Sequence, residues 1–355
     1  MEKFSSPIFA NEYLNTPEGR KNLNDAVDQK LTPEYMKQVD NLAASGDRRY
    51  LDRLTENLSK SIEDYITTTA EAQKALDAVQ KQREDERSPE AWRALIYSYL
   101  DTKRFEAALT LTDQWLASPN KTPEHTAQAL VIKGGILLSA GLYQESLSTN
   151  NDVIQRFGSD PAPNLRKQVA SALIGRAITF GIMGEYQAAI AAYDEINRRY
   201  TADPNLHEII AVSLNNKASV LTHLPPPQNE AAIAIYDEII RRFGSDPTLF
   251  VRENVARALN SKASQLLKLF PPQPESALAT YDEVFRRFQD DPASMLRMQV
   301  ALALRDKGIL LENSSNQKSQ AKSIYEDYLH RFANAPEPAI QAVTAQVRAR
   351  LDALK

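Results

Sequence analysis

The residues able to do chemistry in this 355-residue sequence come in repeated sets. Asp-Glu followed by Arg-Arg recurs as Asp194-Glu195 with Arg198-Arg199, Asp237-Glu238 with Arg241-Arg242, and Asp282-Glu283 with Arg286-Arg287. Carboxylates beside arginines are what phosphate chemistry uses. Here each acid precedes its base by four residues, the favourable orientation for an ion pair along one helix, about 0.2–0.5 kcal/mol each. Arginines in a last turn also suit the helix dipole. Three identical copies describe a scaffold, because an active site needs one asymmetric constellation. A basic column, Lys133, Arg176, Lys217, Lys262 and Lys307, could grip an anionic ligand as a ladder. An acidic column, Asp152, Asp194, Asp237 and Asp282, is available for pairing while the long aliphatic stems cover a packed face, and pairing is the expected use.

Other chemistry is missing. With no cysteine there is no disulfide, thiolate metal site or cysteine nucleophile, and the four histidines, His125, His207, His223 and His330, lie scattered among dissimilar neighbours. No phosphate-cradling, dinucleotide-binding, zinc-protease or nucleophile-elbow motif occurs, and 11 glycines are few for such loops. The expectation is a non-enzyme, with no catalytic, metal-binding or cofactor-binding residues. Net charge is −4, and residues 1–87 carry 13 Lys+Arg against 17 Asp+Glu, leaving 29 of each for the rest. Without clustered positive charge, nucleic acid is disfavoured as the main ligand. No apolar run approaches signal-peptide or membrane-helix length, so a cytoplasmic protein is expected.

The elements that carry these residues repeat with a fixed period. Tyr193 to Tyr200, Tyr236 to Phe243 and Tyr281 to Phe288 superimpose, flanked by weaker copies at Asn150 to Phe157 and Tyr325 to Phe332, so that copies are separated by 43, 43, 45 and 44 residues. Such a period means a solenoid. Each copy runs into Asp160-Pro161, Asp203-Pro204, Asp246-Pro247, Asp291-Pro292 or Ala335-Pro336, an N-cap candidate followed by the residue suited to a first helical position. The next helix repeats large apolar residues every four positions with alanines between, as in Val251, Val255 and Leu259. A turn containing Gly141 or Gly184 follows in two copies, and the second helix opens with Ala-Ala-Ile at Ala188 and Ala231. Pro225-Pro226-Pro227 and Pro271-Pro272-Gln273-Pro274 lengthen two other turns; the latter matches a PxxP pattern, though stiff turns are the plainer account.

Residues 88–122 hold Trp92, Leu95, Tyr99 and then Phe105-Glu-Ala-Ala108-Leu109. This unit resembles the tetratricopeptide repeat, and the later units resemble a lengthened version of about 43 residues, with a basic residue where that family usually places Leu. The resemblance covers residues 88–355. It implies an all-α, right-handed superhelical solenoid of antiparallel hairpins at about 88–122, 123–162, 163–204, 205–247, 248–292 and 293–336, closed by a capping helix at 337–355 whose outer face, Gln341, Gln346, Arg348 and Arg350, is polar. Before it, residues 1–87 read as an N-terminal helical segment, with short helices at about 17–28 and 33–44 and a long helix or helix pair over 47–87.

A hairpin solenoid offers a long concave surface, and the resembled family is used mainly for protein recognition. The leading expectation is therefore a non-catalytic scaffold, adaptor or regulatory subunit binding a protein or peptide, with no membrane partner. If the family register holds, groove residues include Tyr97, Val131, Ile132, Ile174, Ile178 and Ile182, which are apolar, then Asn215, Asn216, Ser219, His223, Asn260, Ser261, Ser264 and Lys268, which are polar. Such an apolar patch should be covered by something. The alternatives are a nucleotide or nucleic-acid sensor using the Lys/Arg columns, and a self-assembling subunit, with homo-oligomers formed through the N-terminal helices.

Overall fold

The computed structural model describes residues 87–354, Thr102, Asn120 and Ser315 excepted. The helices expected before residue 87, and the self-association expected of them, lie outside the described residues. Thirteen α-helices follow one another without a strand among the described residues: α1 (Pro89–Asp101), α2 (Phe105–Ala117), α3 (Pro123–Ser139), α4 (Tyr143–Phe157), α5 (Pro163–Ile182), α6 (Tyr186–Tyr200), α7 (His207–Thr222), α8 (Asn229–Phe243), α9 (Leu249–Leu266), α10 (Pro274–Phe288), α11 (Ser294–Glu312), α12 (Lys318–Phe332) and α13 (Pro338–Ala353). The protein is an all-α array of antiparallel hairpins, odd-numbered helices being the first of each pair. It divides into two compact units, residues 1–179 and 180–355, the division falling inside α5.

In the second unit each helix from α6 to α13 packs on the next, and successive first helices also touch: α7 on α9, α9 on α11, α11 on α13. Small residues at the crossings allow this. Ala189, Ala232 and Ala277 are fully buried, and Tyr193, Tyr236 and Tyr281 are 1%, 3% and 3% exposed, as the repeat register requires. Truncating one of these rings to alanine would cost about 3–5 kcal/mol. In the first unit the tyrosine column is interrupted by Asn150, whose carboxamide lies 2.9 Å from where a Cβ would stand on either Gly134 or Gly175. The absent ring is thus replaced by close approach of α3, α4 and α5 about a polar residue that is 2% exposed. Asn150 Nδ2 donates to the Ser146 carbonyl at 2.9 Å. Ser146 in turn donates to Gly134 O at 2.9 Å and meets the Thr179 hydroxyl at 3.3 Å.

The helix starts depart from expectation. Pro161, Pro247, Pro292 and Pro336 stand two residues before α5, α9, α11 and α13, and Pro204 opens a 3-10 turn ahead of α7. Asp203 caps that turn as expected, accepting the Asn205 N–H at 3.1 Å, whereas the aspartates before α9 and α11 are used otherwise. Asp246 Oδ1 accepts the Thr248 N–H at 2.9 Å, and Asp291 Oδ1 that of Ala293 at 3.0 Å, forming local Asx turns. The second oxygen of each reaches back to a base on the previous first helix, Asp246 to His207 Nδ1 at 2.9 Å and Asp291 to Arg252. Arg297 and Glu337 repeat the joint at 2.8 Å. Each of these acids therefore ties its own repeat to the preceding one, and the two aspartates also shape the turn that leads into their helix. True capping is seen at α3, where Thr122 and His125 exchange hydrogen bonds between side chain and backbone.

Gly141 and Gly184, at φ +80° and +78°, supply the left-handed residue that their tight turns need. On α13 the outer side chains Gln341, Gln346 and Arg348 are exposed, whereas Arg350 is half-buried because it reaches Glu312 Oε2 at 3.1 Å. None of the described helices is long and apolar enough to cross a membrane.

Candidate partner-binding face

The basic column is committed to internal pairing. Lys133 reaches Asp113 at 2.6 Å, Lys217 reaches Asp194 at 2.5 Å, Lys262 reaches Asp237 at 2.6 Å, and Lys307 bonds Asp282. Arg176 contacts Asn151 Oδ1 at 3.4 Å. Each first-helix cation thus meets the second helix before it, and the aspartate of each Asp-Glu doublet turns to the lysine, away from the arginine four residues on. The glutamates do form the expected helical pairs, Glu195 with Arg199 at 2.5 Å, Glu238 with Arg242 at 2.7 Å and Glu283 with Arg287. A cleft bordered by Gly244, Asp246, Arg252 and Arg287 is a seam between repeats, since its charges already bond Thr248, His207, Asp291 and Glu283. Among the described residues no three His, Asp or Glu side chains are placed to hold a metal ion.

The expected groove residues fall in both units. In the first, Ile132 is 9% exposed and belongs to a core with Trp92, Ile96, Trp115 and Ile136, against which Tyr97 packs half-buried. Ile174 is also buried, while Val131 and Ile178 are half-buried. The apolar stretch expected to lie open is therefore largely spent on packing, Ile132 against side chains of the two helices before it. Ile182, at the start of the second unit, is 47% exposed.

In the second unit the polar residues sit on the first-helix layer and divide into two kinds. Asn215 and Asn260 build an amide ladder between first helices: Asn215 Nδ2 donates to Asn254 O and Oδ1 at 3.1 and 3.2 Å, and Asn260 Nδ2 to Gln299 O and Oε1 at 3.0 Å each. Asn216 bonds the Tyr193 hydroxyl, and Ser261 that of Tyr236. Burial, offset in part by those bonds, pushes both phenols above their ordinary range. The other kind faces outward. Ser219, His223 and Lys268 are exposed, Asn216 and Ser264 half-buried. His223 Nδ1 donates to Ser219 O at 2.8 Å, closing the last turn of α7.

Two charged residues that sequence reasoning passed over complete this face. Glu253 and Arg257, one turn apart on α9, are both half-buried. The Arg257 guanidinium donates to Asn254 Oδ1 at 2.6 Å, joining the amide ladder. Burial pushes the Glu253 carboxyl up; the attraction of Arg257 opposes this and the like charge of Glu208 adds to it. Burial also lowers Arg257. The register held the signal: Glu208 and Glu253 occupy the same place in consecutive first helices, seven residues before Asn215 and Asn260.

No family model and no curated protein matches the chain. Among solved structures it is similar to the apo form of RapI, with a TM-score of 0.52 and 14% identity, over 97% of this chain and 98% of that one. It is also similar to a STAND signal transduction ATPase with a tetratricopeptide repeat sensor from Pyrococcus horikoshii, with a TM-score of 0.54 and 14% identity, over 98% of this chain. The match spans half of that protein. Fold and likeness together define a tetratricopeptide-like helical-repeat protein.

Proposed function

We propose that the protein is a non-catalytic adaptor or regulatory subunit whose repeat domain, residues 88–355, binds an extended segment of a partner protein along the first helices of its second unit. One observation carries this reading. Positions that repeat from hairpin to hairpin, the tyrosine, alanine and Lys–Asp columns, are occupied by packing and internal pairing. By contrast Asn216, Arg257 and Lys268 hold places whose residue changes from one hairpin to the next, and with Glu253 and Ser264, which recur only as Glu208 and Ser219 one hairpin earlier, they are half-buried or exposed polar groups gathered on one helix layer. A repeat scaffold with an unrepeated polar face is built for recognition, since a sequence of distinct polar groups fixes the register of one bound strand.

The test is binding of a display library of hexapeptides to the full chain, repeated with Ser264→Trp and, on the second-helix side, Arg241→Ala. Selected peptides should lose binding to the tryptophan variant and keep it with the alanine variant. No selected peptide, or equal binding to both variants, overturns the reading.

A further inference from the structure

We infer that the first-helix face of the second unit takes a basic side chain of its bound segment at Glu253. This rests on the reading above and names the chemistry that the segment must carry. Glu253 is half-buried on α9, yet among the described residues it makes no hydrogen bond or ion pair within 4 Å. Arg257, the cation one turn away, is turned to Asn254 Oδ1 at 2.6 Å and leaves the carboxylate without a direct partner. Half-buried carboxylates are normally paired, because each one gives up hydration.

The surroundings suit a long cation. Glu208 holds the equivalent place on α7, which packs against α9, so two acids share one neighbourhood. In the seam between these helices Asn215 is 4% exposed, and its Oδ1 accepts no hydrogen bond while its Nδ2 is spent on Asn254. An unpaired carboxylate with a second acid near it calls for a group with several N–H donors and positive charge, as an ammonium or guanidinium has. Met298 on α11 holds the place of these acids, and Val212 on α7 and Leu302 on α11 that of Arg257 one turn on; all three are half-buried apolar side chains of the sort that flank an aliphatic stem. An acidic side chain on the segment would meet Glu208 and Glu253 as like charges. The raised proton affinity of Glu253 adds a linkage: a bound cation favours the carboxylate, so binding releases protons at weakly acidic pH.

The experiment uses the full chain and synthetic fluorescent hexapeptide pools, each with one position fixed as arginine, citrulline, norleucine or glutamate. Wild type should bind the arginine pool at one position about tenfold or more tighter than the citrulline pool, the size of one charged contact. Glu253→Gln should erase that preference, still bind pools fixed elsewhere, and melt at or above the wild-type temperature, because it removes a desolvated charge. Binding without preference for arginine, a preference retained by Glu253→Gln, or a collapsed melt in that variant overturns the inference and leaves the first-helix reading standing. No binding of any pool to wild type overturns both.

Discussion

Replacing Gly308 with alanine should destabilise the protein although the substitution favours helix. Gly308 lies inside α11, where glycine costs about 1 kcal/mol relative to alanine. An alanine Cβ there would stand 2.2 Å from Tyr325 Cε1, 2.7 Å from Cδ1 and 2.9 Å from Cζ, so the ring must move. It has somewhere to go, for Ala263 and Tyr281 occupy the equivalent places one repeat earlier, both buried. Tyr325 is held closer because its hydroxyl donates to Glu312 Oε2 at 2.7 Å, the same oxygen that Arg350 of the last helix reaches. Retreat of the ring gives up that charged hydrogen bond, about 1.5–3 kcal/mol. Set against the gain in propensity, the net loss is about 1 kcal/mol, with α13 loosened first. Gly135→Ala is the control: nothing lies within 4 Å of its Cβ, and the variant should gain about 0.5–1 kcal/mol. Urea denaturation followed at 222 nm measures both. If Gly308→Ala is as stable as wild type, the ring is free to shift and the Tyr325–Glu312–Arg350 contact contributes nothing.

Asn150→Tyr, which restores the residue found at this position in four other repeats, should destabilise by about 3 kcal/mol, at the upper end of overpacking, because Gly134 and Gly175 leave no room for a ring; a thermal melt checks it. Lys262→Met breaks a pair whose aspartate is 53% exposed and should cost only about 0.2–1 kcal/mol, leaving peptide binding unchanged; loss of binding at wild-type stability would return this column to ligand contact. Tyr193, Tyr281 and Tyr325 have phenols raised chiefly by burial, so their contribution is complete below the ordinary tyrosine pKa near 10 and is lost as pH rises above it. Absorbance at 295 nm should therefore rise together with loss of helicity, and tyrosine ionisation in a fully helical protein would refute this.

The period, the buried Tyr and Ala columns and the pairing of the lysines were legible in the sequence because each is written three or more times, and repetition separates structural positions from the rest. The helix starts were not. Asp246-Pro247 has the local composition of an N-cap, and only the His207 imidazole of the preceding repeat, 39 residues away, shows what the second carboxylate oxygen does. The burial of Ile132 depends on Trp92, Ile96 and Trp115 of the two preceding helices, a fit among distant residues that no single helical pattern records. Glu253 reads in sequence as one more solvated charge between Arg252 and Asn254. Its unusual state arises from neighbouring helices that bury the carboxylate while offering it nothing to bond.

The acids that tie each repeat to the one before have a consequence for how such a chain can change. His207, Arg252 and Arg297 are all basic side chains, and Asp246, Asp291 and Glu337 are all acidic ones, so these three joints in the second unit are made from the same two kinds of partner. Any hairpin there can follow any other without setting like charges against each other. Tandem duplication or reshuffling of hairpins would preserve the joints while reordering the unrepeated face. A lineage could then rewrite the message that the face reads without having to reinvent the spine that displays it.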